Sequence, residues 1–174
     1  SVYGIGYKGA TKLVEEQDIT TIDQLKERQD EVLNDTQKKG LKYYDDIVKR
    51  IPRSEIEEYA EILKLSFDEV KNAGSKFEIV GSYRRGKSNS GDIDVIITDN
   101  SGERSVFNNF LDKLIEKKLL VEILSRGKVK SLTIGKLPGK PARRLDFLYS
   151  PPDEYAFAVL YFTGSKNFNT FMRR

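Results

Sequence analysis

The sequence contains neither histidine nor cysteine. Without cysteine it has no disulfide, thiol nucleophile, iron–sulfur cluster or cysteine-ligated zinc site. Without histidine it has no Ser-His-Asp triad and no imidazole general base. No apolar run approaches the roughly 18–20 residues of a membrane span, so no membrane association is predicted. Any chemistry therefore relies on carboxylates, lysine, arginine, tyrosine, serine or a metal ion held by oxygen ligands.

The 174 residues, of which 38% are hydrophobic, are enough for one domain with small appendages. The formal net charge of +3 comes from 30 basic and 27 acidic side chains and does not by itself indicate a nucleic-acid partner. The absence of cysteine agrees with a reducing compartment. Because the sequence begins at Ser1 and its last residues continue a helical pattern, we expect a fragment.

The first fifty residues are predicted to form helices separated by turns. Thr21 with Gln24 predicts a capping box, in which each residue's side chain bonds the other's main-chain N–H. Asn34 or Asp35 can begin another helix, over residues 36–49. Proline 52 then interrupts the helical pattern.

Beyond Pro52 the pattern first predicts a helix, which Ser54 and Glu57 would cap. Its apolar face is formed by residues at helical spacing: Ile56, Tyr59, Ala60, Leu63, Phe67 and Val70. After Gly74 the apolar residues recur at every second position, which is the pattern of a β-strand. Strands are predicted over 77–80, 92–97, 121–124, 129–134 and 144–149, and helices over 107–114 and 155–162.

This order predicts an α+β fold, with a mixed β-sheet flanked by helices and a small all-helical domain before it. Boundaries are expected near Pro52 and Pro151. The predicted domains are therefore residues 1–52, 53–150 and 151–174.

Two aspartates lie in the second predicted strand. Residues two apart in a strand share a face, so Asp92 and Asp94 project together while the intervening isoleucine and valine face the core. Asp146 lies on a later strand, and three carboxylates on neighbouring strands can hold two Mg²⁺ ions about 3.5–4 Å apart. The alternatives are solvated aspartates at a strand edge, or an ion pair of Asp146 with Arg143 or Arg144.

A phosphate site is predicted just before these aspartates. Gly81 and Ser82 end a strand, where main-chain N–H groups and a hydroxyl could hold phosphate oxygens. Arg85 offers a planar guanidinium to the same anion.

Basic residues are concentrated between Glu122 and Asp146, where no acid occurs. They are Arg126, Lys128, Lys130, Lys136, Lys140, Arg143 and Arg144. Such a basic strand set favours contact with a nucleic-acid backbone, and the alternative is an ordinary solvated hairpin.

The motifs together resemble those of the family X DNA polymerases of the beta type. The segment 81–98 is similar to their nucleotidyltransferase signature. Other similar motifs are Leu41-Lys42-Tyr43-Tyr44, Lys49-Arg50-Ile51-Pro52-Arg53, Arg144-Leu145-Asp146 and Tyr161-Phe162-Thr163-Gly164-Ser165. The resemblance covers nearly the whole chain. It implies a nucleotidyltransferase palm over 53–150 and the start of a truncated, nucleotide-binding thumb over 151–174.

The resemblance also implies roles for individual residues. Asp92, Asp94 and Asp146 would be the catalytic ligands of two Mg²⁺ ions, with Mn²⁺ as a possible substitute. The implied nucleotide-binding residues are Arg50, Ser82, Arg85, Gly91, Tyr161, Phe162, Gly164 and Asn169. The implied DNA contacts are Gly4, Gly6, Lys130, Arg144 and Arg173.

The glycine turn near the start resembles a helix-hairpin-helix motif. In that motif Gly4 and Gly6 let main-chain N–H groups approach a DNA phosphate. The carbonyls of Val2 and Ile5 would hold a Na⁺ or K⁺ ion that bridges to the phosphate. Taken alone, the two glycines would also fit an ordinary turn.

The resemblance implies a monomeric DNA-directed DNA polymerase that fills gaps during repair. Its partners would be primer-template or gapped DNA and a deoxynucleoside triphosphate. It would be intracellular, and nuclear in a eukaryote. The alternatives are a template-independent enzyme similar to terminal transferase, and a fragment that only binds DNA and is itself inactive. A long loop near the basic strands would favour template independence, and the short segment 125–144 contains none.

Overall fold

The structure is a computed structural model that describes residues 2–100 and 104–164. These residues belong to two compact units, 1–48 and 49–174. The boundary lies four residues before the predicted one, because Arg50 and Ile51 are bonded to the second unit. Ile51 pairs with Ser90, and the side chain of Arg143 bonds the carbonyl of Arg50.

The first unit is helical, as its pattern predicts. Its helices are α1 (Tyr7–Gln17), α2 (Ile22–Val32), α3 (Asp35–Lys42) and α4 (Tyr44–Ile47). Capping boxes begin two of them, Thr21 with Gln24 at α2 and Asn34 with Gln37 at α3. The single helix expected over 36–49 is wrong, because the chain leaves helical geometry at Tyr43 and begins a new turn.

The second unit contains a mixed sheet with helices. In chain order its elements are β1 (Ile51–Pro52), α5 (Arg53–Val70), β2 (Lys76–Ile79), α6 (Gly81–Arg84), β3 (Asn89–Ser90), β4 (Ile93–Thr98), α7 (Ser105–Glu116), β5 (Leu120–Arg126), β6 (Lys130–Gly135), β7 (Arg143–Tyr149) and α8 (Tyr155–Thr163). The predicted α+β class with a mixed sheet is confirmed. The capping box expected at Ser54 is wrong, because α5 begins two residues earlier than that box requires, at Arg53 with Pro52 as its N-cap.

The five-stranded sheet has the order β2-β4-β7-β6-β5. Strands β4 and β7 run parallel at its centre, and the other neighbouring pairs are antiparallel. Helices α5 and α7 pack on one face, where Tyr59 and Phe110 meet Val95 and Phe147 in the main core. Helix α8 packs through Val159 on the other face. In the part of the chain that the structure describes, no helix is both long and apolar enough to cross a membrane.

Candidate active site

Three carboxylates meet at the centre of the sheet. In the parallel pairing of β4 with β7, Asp94 lies directly opposite Asp146. Asp92 comes immediately before β4. One oxygen atom from each of the three carboxylates lies within 4.8 Å of the others. The structure therefore brings together the three aspartates that the sequence predicts as metal ligands.

Alternation along the two strands explains why these side chains share one face. In β7 every second residue from Arg143 is buried, and Asp146 lies between the buried Leu145 and Phe147. In β4 the core takes Ile93, Val95 and Ile97, which leaves Asp94 on the opposite face. That face is partly covered, since Ile96 packs against Val159 of α8. The aspartates are therefore partly removed from water.

This environment raises the pKa of Asp94 to about 7. Burial is the main cause, and the negative charges of Asp92 and Asp146 add to it. Burial also raises the pKa of Asp146, although the positive charge of Arg144 opposes that shift. A cluster of this kind is stabilised by a cation that neutralises the repulsion between its members.

Arg144 supplies part of the positive charge that the three carboxylates need. Its Nη2 lies 2.8 and 3.0 Å from the two oxygens of Asp146. The ion pair considered as an alternative for Asp146 is therefore present in addition to the carboxylate cluster. A single guanidinium cannot neutralise three carboxylates, so the two interpretations are compatible.

The turn before the aspartates approaches them closely. Gly81 has a φ of +67°, and a Cβ atom there would lie 3.0 Å from Oδ2 of Asp94. Ser82 follows in the short helix α6, and its hydroxyl lies 2.5 Å from that of Ser90. Glycine is needed at position 81 both for its left-handed conformation and for this close approach.

Two predicted triphosphate contacts are arginines with main-chain partners. Arg85 donates from Nη1 to the carbonyls of Thr163 and Gly164, at 2.8 and 3.1 Å. Arg50 donates from Nε to Oδ1 of Asn89 at 2.9 Å. A Cβ atom on Gly91 would lie 3.1 Å from Nη1 of Arg50, so the guanidinium lies against this glycine. Arg50 and Gly91 are thus brought together, whereas Arg85 bonds the end of α8.

The remaining predicted nucleotide contacts lie at the end of α8. Tyr161 contacts the ring of Phe162 edge to face, with centroids 5.1 Å apart, and the side chain of Phe162 is 43% exposed. Phe162 and Lys130 line a cavity of about 120 Å³ together with Asp94 and Asp146. Asn169, a predicted nucleotide contact, and Arg173, a predicted DNA contact, lie outside the described residues.

The interpretation of β5 to β7 as a segregated basic surface is partly wrong. Four of its seven basic residues pair with acids, three of which lie on helices: Arg126 with Asp112, Lys140 with Glu58, Arg143 with Glu55 and Arg144 with Asp146. Charge counted along the sequence misses these partners because they are 14 to 88 residues away in all but the last pair.

In the first unit, the predicted phosphate-binding glycines form a turn before α1. Gly4 has a φ of +82°, and its carbonyl accepts a bond from Nε2 of Gln37 at 2.9 Å. The carbonyl of Val2 accepts the N–H of Ile5 at 3.1 Å. Gly6 is the N-cap of α1, has no side-chain cap, and faces open space.

The buried pair of Glu55 and Arg143 is not among the features predicted from the sequence. A signal for it exists, because alternation places Arg143 on the same side of β7 as Leu145 and Phe147. A charged residue on a buried face requires an opposite charge. Glu55 is adjacent to Ile56, on the buried side of the helix α5.

Comparison with known proteins agrees with the geometry. A family model described as the DNA polymerase beta palm matches residues 50–152, and one for the fingers domain of DNA polymerase lambda matches residues 1–48. The chain belongs to the family X DNA polymerases. The resemblance found in the motifs is therefore confirmed. The members of this family are nucleotidyltransferases.

Three family X relatives illustrate the extent of the similarity. DNA polymerase lambda of Rattus norvegicus is 39% identical over 143 residues, which are 77% of this chain and 25% of that protein. DNA polymerase lambda of Arabidopsis thaliana is 34% identical over 99% of this chain and 34% of that protein. DNA nucleotidylexotransferase of Xenopus laevis is 28% identical over 100% of this chain and 41% of that protein. The chain thus spans between a quarter and two fifths of the length of these relatives.

Proposed function

We propose that the protein is an intracellular DNA-directed DNA polymerase that fills short gaps during DNA repair and that, if its source is a eukaryote, acts in the nucleus. The observation that carries this proposal is the cluster of Asp92, Asp94 and Asp146 beside the turn at Gly81 and Ser82. Its substrates would be gapped or primer-template DNA and a deoxynucleoside triphosphate.

The donor set at this site fits Mg²⁺. Three carboxylates with oxygens close together match the preference of this ion for oxygen ligands. Burial raises the pKa of Asp94, and the negative charges of Asp92 and Asp146 raise it further, so a bound cation would favour the charged carboxylate. When bound, Mg²⁺ would activate the primer 3′-hydroxyl and neutralise charge on the triphosphate, and two ions are the number expected. Mn²⁺ accepts the same ligands.

The side chains around the cluster would bind and orient the substrates. Arg50, which lies against Gly91, and Ser82, whose hydroxyl bonds that of Ser90, would both bind the triphosphate. Arg85 would add its charge to the triphosphate on exchanging its carbonyl partners for phosphate oxygens. Tyr161, Phe162 and Gly164 would lie against the sugar, Asn169 against the base, and Arg173 and Lys130 near the DNA.

We further propose that the first unit holds a DNA phosphate. The N–H groups near Gly4 and Gly6 precede the N-terminus of α1, whose dipole favours an anion. The carbonyls of Val2 and Ile5 are the proposed ligands of a monovalent cation. Such binding neutralises phosphate without reading bases, so it would depend on salt and little on sequence.

Template dependence is favoured by the short connections between the strands. Only residues 127–129 join β5 to β6, and residues 136–142 join β6 to β7. The similarity to DNA nucleotidylexotransferase keeps template-independent addition as a second candidate.

The test is extension of a labelled primer across a one-nucleotide gap by the full-length protein with Mg²⁺. We expect incorporation of the nucleotide complementary to the template, and loss of activity in Asp146→Ala. Asp112→Asn is a matched control, because Asp112 is an exposed aspartate of α7 that pairs with Arg126 of β5. Equal extension of a single strand would favour the template-independent enzyme. DNA binding without extension would favour the binding fragment, and full activity of Asp146→Ala would overturn the metal site.

A further inference from the structure

The side chains of Arg143 and Glu55 form a buried ion pair at the start of β7. Nε and Nη2 of Arg143 donate to the two carboxylate oxygens of Glu55, at 2.6 and 3.1 Å. Both side chains are about 95% buried, with exposed fractions of 4% and 5%. A buried pair of this kind contributes little net stability compared with apolar side chains. Stability alone therefore does not explain why these two charged residues lie here.

The third nitrogen of the guanidinium bonds the main chain. Nη1 of Arg143 donates to the carbonyls of Lys49 and Arg50, at 3.2 and 3.1 Å. Because a guanidinium is planar and rigid, the carboxylate of Glu55 sets the direction in which Nη1 points. The pair therefore determines where the main chain of residues 49 and 50 lies, just before β1.

Arg50 extends from this held segment along the proposed triphosphate site. Its guanidinium bonds the side chain of Asn89 and lies against Gly91, one residue before Asp92. A shift of the main chain at position 50 would move this guanidinium relative to Gly91 and the carboxylates. Arg50 itself is exposed, so the orientation of its guanidinium depends on these few contacts.

We propose that Glu55 and Arg143 are positioning residues that aim Arg50 at the triphosphate of the incoming nucleotide. This inference rests on the proposed function, in which Arg50 binds that triphosphate. Neither residue touches the substrate. Their effect passes through the two carbonyls that Arg143 holds.

The test replaces both members of the pair, Glu55→Met with Arg143→Met. Removing one member alone would leave a buried unpaired charge and unfold the protein, whereas an apolar pair of similar size preserves stability. The dissociation constant of the nucleotide is measured on gapped DNA whose primer lacks a 3′-hydroxyl. We expect it to rise about tenfold, the effect of losing one charge-assisted contact, with KM rising in parallel and kcat changing less.

A double-mutant cycle with Arg50→Ala separates positioning from general stability. If the pair acts through Arg50, replacing the pair in the Arg50→Ala variant causes no further loss of nucleotide affinity. Additive losses would overturn the inference. The control is Asp112→Asn with Arg126→Gln, since Arg126 also bonds a carboxylate and a carbonyl, and we expect unchanged nucleotide affinity.

The outcomes distinguish this inference from the proposed function. A wild-type protein that binds no nucleotide and extends no primer would refute the function itself. If the wild type is active and the variant with both methionines binds the nucleotide equally tightly, only the positioning role is refuted. If the methionine pair does not fold, Arg143→Lys decides: it keeps the charge beside Glu55 but cannot also span both carbonyls, so normal affinity in that variant would refute the inference.

Discussion

Replacing Asp94 by asparagine should stabilise the metal-free protein at neutral and alkaline pH. In the folded chain the pKa of Asp94 is raised to about 7, mainly by burial, from an ordinary value of 3.8. Between these two pH values the folded state holds a proton that the unfolded state has released. The stabilising contribution of protonated Asp94 is therefore complete below about pH 4 and is lost as the pH rises to about 7.

The size of the effect follows from this difference of about 3 pKa units. At about 1.4 kcal/mol per unit, the charged carboxylate would cost about 4 kcal/mol above pH 7. Asp94 is only partly buried, and the solvent that reaches it weakens the repulsion, so we expect about 2 kcal/mol. Asparagine keeps the shape of the side chain without its charge. The variant should accordingly be more stable than the wild type by about this amount.

Urea unfolding in EDTA at about pH 5 and about pH 8 measures the difference, because contributions shared by both proteins cancel. The free-energy gap between Asp94→Asn and the wild type should widen by about 1 kcal/mol or more over this range. Asp112→Asn, at an exposed carboxylate, should leave the gap small and constant with pH. A variant less stable than the wild type at the higher pH, or a gap independent of pH, would refute the reasoning.

Mg²⁺ provides the second arm of the same experiment. A ligand that binds only the folded state raises its stability by mass action. The ion should therefore raise the urea midpoint of the wild type and have little effect on Asp94→Asn. Equal protection of both proteins would remove Asp94 from the metal site.

Three further predictions concern glycines and DNA. Gly81→Ala should lower the primer-extension rate at least tenfold because its Cβ would meet Asp94, whereas Gly86→Ala, with a similar positive φ but open space around it, should retain activity. Gly4→Ala should destabilise the first unit by about 1–2 kcal/mol in thermal unfolding, and Gly6→Ala, with an ordinary φ, by less than about 1 kcal/mol. The affinity for duplex DNA should fall steeply with salt and be nearly independent of sequence, and binding that ignores salt would contradict the phosphate contacts.

The strands that carry the aspartates could be predicted because their pattern is local. Alternation alone places Asp94 and Asp146 on the less apolar faces of β4 and β7. The pairing of the two strands could not be predicted in this way, because 52 positions separate the residues that lie directly opposite each other. Short-range pattern contains no information on that register. From the sequence, the closeness of the three carboxylates is a hypothesis that the family motifs strengthen, and the structure shows it as geometry.

Two features of the structure could not be predicted from the local pattern. The pattern from 36 to 49 is helical throughout, yet the helix is interrupted at Tyr43. Arg85 could be recognised as a cation near a phosphate turn, but its bonds to the carbonyls of Thr163 and Gly164 depend on where α8 packs. The bonds of Arg85 are set by tertiary packing, which the local sequence pattern does not show.

Charge shows most clearly what a linear sequence can and cannot indicate. Seven basic residues without a nearby acid suggested a DNA-binding surface, yet four of them have acidic partners in space. Long, flexible basic side chains readily reach such partners, so their number says little about function. The three aspartates have short side chains and cannot move far apart, because Asp94 and Asp146 lie on paired strands and Asp92 immediately precedes the first of them. Their mutual repulsion is therefore built into the fold, and the proposed metal site would relieve it by placing a cation between the carboxylates.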